Sequence, residues 1–184
     1  MQEKSTSFHT ILRILLRELR QQSNVQQAQI GQLLGKSAST WSKVETGETE
    51  LTLDHVLTVC HACQVLPSLL LQTAQNYMSV LTQFGWYVAS HGKALDKAED
   101  RLAQEADIYY AFVARPDRPV IFGNIVHVLS TPWPYLNQYS PIDVFRWATD
   151  EVWKAGLLNA QTAPPPPLQV APPPPSLAGL AGNF

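Results

Sequence analysis

The chain has 184 residues, a net charge of −2 and a hydrophobic content of 45 %. This content is enough for a packed core, and the absence of any run of about 18 apolar residues argues against a membrane-spanning helix. The first residues lack the basic-then-apolar order of a secretory signal, so we expect a cytoplasmic protein.

The N-terminal segment predicts one amphipathic helix after a short polar lead. Residues 1–7 are polar, and we expect them to be frayed. A helix is predicted over 8–22, because apolar residues recur three and four apart and form one broad face. That face consists of Ile11, Leu12, Leu15, Leu16 and Leu19.

Two short helices joined by a tight turn are predicted between residues 26 and 47. Ile30, Leu33 and Leu34 have helical spacing and are expected to line one face of the first. Gly35 follows at a position where helices commonly end with a left-handed residue. Two helices joined by such a turn are typical of a helix-turn-helix.

The second of these helices is predicted to begin after Ser37, whose hydroxyl suits an N-cap. Trp41 and Val44 form its apolar pair, and Gly47 ends it. Two further helices are predicted, over 53–64 and from Pro67 to about residue 84. The apolar stripe of the second consists of Leu70, Ala74, Tyr77, Met78, Leu81 and Phe84.

Cys60 and Cys63 form a Cys-x-x-Cys motif that is compatible with redox chemistry, a zinc site or a buried helix face. A zinc site needs further ligands, and no second cysteine pair exists. Buried free cysteine behaves as a small hydrophobe. We therefore favour a structural role in the core.

The second half predicts more helices. Residues 84–88 fit either a short strand or a continuation of the preceding helix. Residues 93–113 have a clear helical period, with Asp100 and Glu105 on the charged face. The apolar seam of this helix is expected to pack on the N-terminal part or on a second copy of the chain.

A last helix is predicted from Ser140 as N-cap, through Ile142, to about residue 158. Its apolar face includes Val152. From residue 161 onward the chain is rich in proline, and we expect a disordered tail that samples polyproline II. We therefore predict that the chain divides into an N-terminal helical domain (8–83), a C-terminal region (84–160) and the disordered tail (161–184).

Several positions together carry a resemblance to a known family. They are Leu16, Leu19, Arg20, the segment 26–31, Gly35 and the segment 37–47. With these residues, the chain from about 12 to 71 resembles the Cro/C1-type (XRE) helix-turn-helix regulators of bacteria and phages. The resemblance implies a mainly α, five-helix, lambda-repressor-like domain, followed by a mostly helical C-terminal region. Three positions depart from the family pattern: Gly31 replaces an alanine, Trp41 an isoleucine and Gln26 a capping serine.

The resemblance also implies a set of residues that contact DNA. Gln27 occupies the position that clamps the phosphate backbone, and the loop after the recognition helix approaches the backbone. Glu48 and Glu50 have the wrong sign for phosphate, so we expect this loop to make contact through main-chain N–H groups and through Thr49 or Thr52. Serine and threonine can bond either donor or acceptor base edges, and lysine can reach guanine or a phosphate. The implied DNA-binding residues are Gln27, Ser37, Ala38, Ser39, Thr40, Ser42, Lys43 and Thr49.

In the resembled family an arginine at the end of the first helix pairs with the glutamate that ends the recognition helix. Arg20 and Glu45 occupy these two positions. The resemblance implies that they lock the unit together, and the alternative is two independent surface charges. A partly buried pair of this kind fixes geometry more than it adds stability.

The charge balance of the first 80 residues is even, with six basic and six acidic side chains. Non-specific attraction to DNA grows with the number of phosphate contacts made by lysine and arginine, so it should be weak. The predicted recognition helix also lacks an arginine, asparagine or glutamine that could make a bidentate base contact, so readout is expected to depend on DNA shape and on the spacing of two copies.

The expected function is a sequence-specific, double-stranded DNA-binding transcriptional regulator, acting as a homodimer in a bacterial or phage setting. Residues 84–160 would serve dimerisation or sensing. No phosphate loop, nucleophile elbow or metal-ligand set is present in the sequence, so we expect no enzyme activity, no cofactor and no metal. The alternative is an antitoxin or adaptor whose C-terminal region binds a protein partner, because residues 129–143 resemble the toxin-binding region of some helix-turn-helix antitoxins.

Overall fold

The computed structural model describes residues 4–90, 95–116, 127–132 and 141–162, without the side chains of 160–162. These residues are mainly helical, which confirms the predicted fold class. In chain order the elements are β1 (Ser5–Ser7), α1 (Phe8–Gln22), α2 (Gln27–Leu33), α3 (Ala38–Thr46), α4 (Leu53–Ala62), α5 (Pro67–Gln83), β2 (Tyr87–Ala89), α6 (Arg101–Val113), a 3₁₀ helix (Val128–Ser130), α7 (Asp143–Thr149) and α8 (Glu151–Thr162).

The N-terminal segment is ordered, so the prediction of a frayed lead is wrong for residues 5–7. β1 pairs in parallel with β2, with Thr6 opposite Val88. Thr6 is fully buried, and its hydroxyl donates to Asp100 at 2.9 Å. Three residues carry too little periodicity to predict a strand whose partner lies about 80 residues away.

Helix α1 lies at the centre of the described structure. The predicted apolar face is buried along its whole length. The helix packs against α3, α4, α5 and α6, and the buried apolar side chains form one cluster that runs from Ile11 to Ala148. This core crosses the predicted boundary between residues 83 and 84, and the division into 8–83 and 84–160 stays a prediction.

Two exposed side chains differ from the sequence expectation in the first five helices. Leu33 is 56 % exposed although it was expected on the buried face with Ile30, and Phe84 is 45 % exposed. Each lies at the last turn or just after the end of its helix. At such a position the neighbouring helix no longer covers the face that periodicity assigns to the core.

Helix α6 begins at Arg101 rather than near residue 93, because Asp100 caps it. The Asp100 carboxylate accepts from the Ala103 N–H at 3.0 Å and from the Thr10 hydroxyl at 2.6 Å. Asp100 was expected on a solvated face and is instead 1 % exposed. Its hydrogen bonds to β1 and α1 compensate for burial of the charge.

Glu105 was also expected on the charged face of α6, and it too is buried. Its carboxylate pairs with Arg101 at 2.6 Å, as the four-residue spacing suggests. It also accepts from the Trp147 indole at 3.1 Å and from Lys154 at 2.6 Å. The apolar seam of α6 is buried in the core of the same chain, where α6 contacts α1, β1 and α7.

The last predicted helix is two helices, since the chain breaks at Asp150, whose φ of −111° and ψ of 86° are not helical. The Asp150 carboxylate accepts from the Trp153 N–H at 2.9 Å and so caps α8. Ile142, not Ser140, precedes the first helical residue, and Val152 is exposed rather than buried.

Several predictions fall outside the described residues. The structure does not describe the proline-rich tail beyond residue 162. It also does not describe 133–140, the middle of the antitoxin-like segment. Within the described part, no single helix is long and apolar enough to cross a membrane; α4 and α5 together have the length and composition but are bent by 113°.

The turn between α2 and α3 depends on two glycines for different reasons. Gly35 has a φ of +64°, as predicted for a left-handed helix end. Gly31 is buried inside α2, where a Cβ would lie 2.8 Å from the Lys36 carbonyl oxygen and 2.9 Å from the Ser37 carbonyl carbon. The absence of a side chain at Gly31 lets the chain entering α3 pass directly over α2.

We predict that Gly31→Ala lowers the free energy of unfolding by about 1–2 kcal/mol, because the cost of overpacking against backbone exceeds the gain in helix propensity. Gly156→Ala is the matched control, since a Cβ at Gly156 in α8 meets nothing within 4 Å. Urea denaturation measures both. Equal stabilisation of the two variants would contradict the close approach.

Candidate nucleic-acid interface

The apolar residues of α3 are buried in the core, so the helix exposes only a narrow polar face. Trp41 and Val44 are each 1 % exposed. Ser39 and Lys43, which are four residues apart, are exposed on the other side. Ala38, Thr40 and Ser42 are half-buried at the edges of this face.

The beginning of α3 is capped as the sequence predicts. The Ser37 hydroxyl accepts from the Thr40 N–H at 3.1 Å, and the Ser37 side chain is exposed. This bond satisfies one N–H of the first turn. The start of α3 thus carries small hydroxyl side chains, of which Ser37 and Ser39 are exposed.

The end of α3 is fixed by Gly47 and by Arg13 of α1. Gly47 has a φ of +80°, and a Cβ there would lie 1.5 Å from Arg13 Nη1. Arg13 Nη2 donates to Thr10 at 3.1 Å. Burial lowers the pKa of Arg13, and the charges of Asp100 and Asp107 oppose this. Helix α3 therefore ends against a cation that α1 and α6 hold in place.

The Glu45 carboxylate joins three helices. It accepts from Arg20 Nε at 2.5 Å and from Arg20 Nη2 at 3.0 Å. It also accepts from the Trp41 indole at 2.7 Å and from the Gln27 amide at 2.7 Å. Arg20 in turn donates to the Val25 carbonyl at 2.8 Å. The charges of the Arg20–Glu45 pair are buried and hydrogen-bonded, which is the condition under which such a pair is tolerated.

The structure places Gln27 within this network. The resemblance implies a contact with the phosphate backbone, whereas the amide nitrogen is 2.7 Å from Glu45. The side chain is half-buried at the first residue of α2. Its role toward DNA stays a prediction.

Two main-chain N–H groups of the loop after α3 donate to acceptors within the chain. The Thr49 N–H donates to the Lys43 carbonyl at 3.0 Å, and the Thr52 N–H donates to His55 Nδ1 at 3.1 Å. These two N–H groups therefore already have acceptors within the chain, and the expected contact of this loop with the DNA backbone stays a prediction. The half-buried Thr49 side chain stays a candidate contact, and Glu48 and Glu50 are exposed beside it.

Lys36 is a candidate contact that the family pattern did not indicate. It is exposed in the turn directly before the Ser37 cap. Its charge, after burial, also lowers the pKa of His55 in the first turn of α4. The sequence signal that could have indicated this contact is a lysine directly before the predicted N-cap, Ser37.

Of the two cysteines, Cys60 lies in the core as expected, whereas Cys63 is half-buried. Both are free, Cys60 is fully buried, and burial raises the pKa of its thiol to about 11. Such a thiol is inert at neutral pH. Across the described residues, no group of three or more histidine, cysteine, aspartate and glutamate side chains could hold a metal ion.

Comparison with known families agrees with this geometry. Residues 11–72, roughly a third of the chain, match a family model described as a helix-turn-helix domain. The match begins in α1 and ends in the first half of α5. No curated protein and no solved structure matches the chain.

We predict that Glu45→Ala lowers the free energy of unfolding by about 3–5 kcal/mol, because it leaves the buried Arg20 guanidinium without its charge partner. Glu50→Ala, at an exposed acid of the following loop, should change stability by no more than about 0.5 kcal/mol. Urea denaturation of both variants provides the comparison. A loss below about 1 kcal/mol for Glu45→Ala would show that the network contributes little.

We predict a pH-dependent loss of stability at His55. Burial, followed by the charge of Lys36, lowers the pKa of His55 below 6.5. The folded state therefore binds this proton less readily than the unfolded chain, so stability present above pH 6.5 is lost as the pH falls through the folded-state pKa.

The control for this prediction is His55→Gln, which does not titrate and retains an acceptor for the Thr52 N–H in a Thr-x-x-Gln capping box. Unfolding free energies from about pH 8 to about pH 5 should fall more steeply in the parent protein than in this variant. Parallel curves would exclude His55 as the source.

Proposed function

From the helix-turn-helix domain formed by residues 11–72, we propose that the chain is a sequence-specific transcriptional regulator of the Cro/C1 type. In this proposal α3 enters the major groove of double-stranded DNA, and two copies bind an inverted repeat in the cytoplasm. The helix-turn-helix domain itself supports a DNA-binding regulator in general. The subtype, the two copies and the inverted repeat are part of the proposal.

The observation that carries the proposal is the division of α3 into two faces. Trp41, Val44 and Glu45 anchor one face in the core, while Ser39 and Lys43 are exposed on the other. Recognition helices place side chains near their N-terminus against base edges. A helix that is anchored by its buried face and has small polar side chains near its N-terminus fits that task.

The charges near α3 favour specific over non-specific binding. Lys36 and Lys43 are exposed beside the proposed contact face, and Glu48 and Glu50 are exposed just after it. Only a few phosphates can be neutralised by such a surface, so the salt-dependent term should be small. Hydroxyl contacts to bases and the pairing of two copies would supply the remaining selectivity.

The contact between α6 and α1 supports a sensing role for the C-terminal region. The Tyr110 hydroxyl donates to Glu18 at 2.8 Å, and the Arg17 guanidinium lies 3.5 Å from the centre of the Tyr110 ring. Burial, more than any other cause, raises the pKa of Glu18. A displacement of α6 would shift α1, whose Arg13 and Arg20 both contact the C-terminal end of α3.

We predict that Lys43→Ala and Ser39→Ala weaken binding to a duplex selected from a random-sequence pool, each by about 1–3 kcal/mol if it removes a base contact. If Lys43 contacts a phosphate instead, the slope of log K against log[salt] should fall by about 0.9. Titration by fluorescence anisotropy at several salt concentrations separates the two roles.

Lys97→Ala is the matched control, because Lys97 pairs with Asp107 in the C-terminal region. It should bind like the parent chain. Unchanged affinity of both Lys43→Ala and Ser39→Ala, with folding intact, would refute the assignment of this face to DNA.

A further inference from the structure

Helix α4 and the start of α5 expose an unusual number of leucines. Leu53, Leu57, Leu66 and Leu69 are all more than 40 % exposed. They lie within 17 positions of the chain, directly after the proposed DNA-reading helix. Single exposed leucines are ordinary, whereas clustered ones mark an interaction surface.

The outward face of α4 has a defined order of side chains. Asp54, Leu57, Thr58 and His61 follow one another at three- and four-residue spacing and so share one face. Val56, Val59 and Cys60 occupy the opposite, buried face. The exposed face thus has an acid at its N-terminal end, a leucine at its centre and a histidine at its C-terminal end.

We propose that this face of α4 docks on the same face of a second copy of the chain, with the two α4 helices antiparallel across a two-fold axis near Leu57. This inference rests on the proposed function, which requires two copies of the chain, and it names the surface through which they associate. A two-fold contact uses one self-complementary patch on both copies.

The charges on the face fit this arrangement. The midpoint between Asp54 and His61 lies next to Leu57, so an antiparallel pair centred there places each Asp54 carboxylate beside the His61 imidazole of the second copy. Imidazole can donate a hydrogen bond to a carboxylate. A parallel pair would instead place the two carboxylates together, which is unfavourable.

The shape of the surface also fits a second copy. An open groove of about 1010 Å³ adjoins the C-terminal end of α4 and is lined by His61, Ala62 and Leu66 among others. No aspartate, glutamate, lysine or arginine lines it. In the antiparallel pair, Leu53 of the second copy lies opposite Ala62. Leu53 is 68 % exposed, and the groove would receive it.

The contact has the size of a weak interface. Helix α4 has ten residues, which corresponds to a length of about 15 Å. A stable interface buries at least about 1,000 Å² in total, so contacts in the groove are needed in addition to α4. None of Ser37–Lys43 lies on this face, and both copies of α3 would stay exposed.

Sedimentation equilibrium of the full chain tests the surface without DNA. We expect a reversible monomer–dimer equilibrium that Leu57→Glu weakens by about tenfold or more, since it places two carboxylates opposite each other in an apolar contact. Val152→Glu is the control, because Val152 is 85 % exposed on α8 and lies outside the face. Circular dichroism verifies that both variants are folded.

A charge exchange tests the antiparallel orientation. His61→Glu should weaken the dimer because it places a carboxylate beside Asp54 of the second copy, and Asp54→Lys should weaken it because it removes the carboxylate that accepts from His61. The double variant should restore self-association toward the parent value. Weakening that is additive in the double variant would overturn the antiparallel arrangement.

The surface and the proposed function fail separately. A chain that stays monomeric, or a Leu57→Glu variant that dimerises like the parent, overturns the α4 surface even if a selected duplex is bound. A dimer that depends on Leu57 and the charge pair supports the surface, and if that dimer binds no selected duplex, the DNA-binding proposal alone is overturned.

Discussion

One buried carboxylate connects the helices that present the proposed DNA-reading face. Glu45 takes two hydrogen bonds from Arg20 of α1, one from Gln27 of α2 and one from Trp41 within α3. A buried charge is costly unless its hydrogen-bonding capacity is filled, so the three helices are favoured in this one arrangement. This arrangement of the three helices sets the direction in which the exposed side chains of α3 point.

Much of this arrangement could be predicted from local patterns. The apolar period of α1, the hydroxyl cap at Ser37 and the left-handed Gly35 each depend on residues a few positions apart. The pairing of Arg20 with Glu45 followed from family resemblance, and the two side chains do meet. The further donors Trp41 and Gln27 were not expected. The indole stands where the family has a residue without a polar atom.

The C-terminal part was harder to predict because its partners are distant in sequence. Asp100 and Glu105 occupy the polar positions of a helical pattern, yet both are buried by hydroxyl, indole and ammonium groups from other elements. Strand β1 is three residues long and exists because β2 pairs with it. Periodicity identifies the apolar face of a helix, but it does not identify which charged side chains are buried against partners from other elements.

The central claim is that the exposed face of α3 reads duplex DNA while α1 and α2 pack against its buried face. Backbone amide chemical shifts measured during titration with a selected duplex test this most directly. The account predicts the largest changes between Lys36 and Lys43 and small changes in α8. Changes confined to α6–α8, with α3 unaffected, would contradict it.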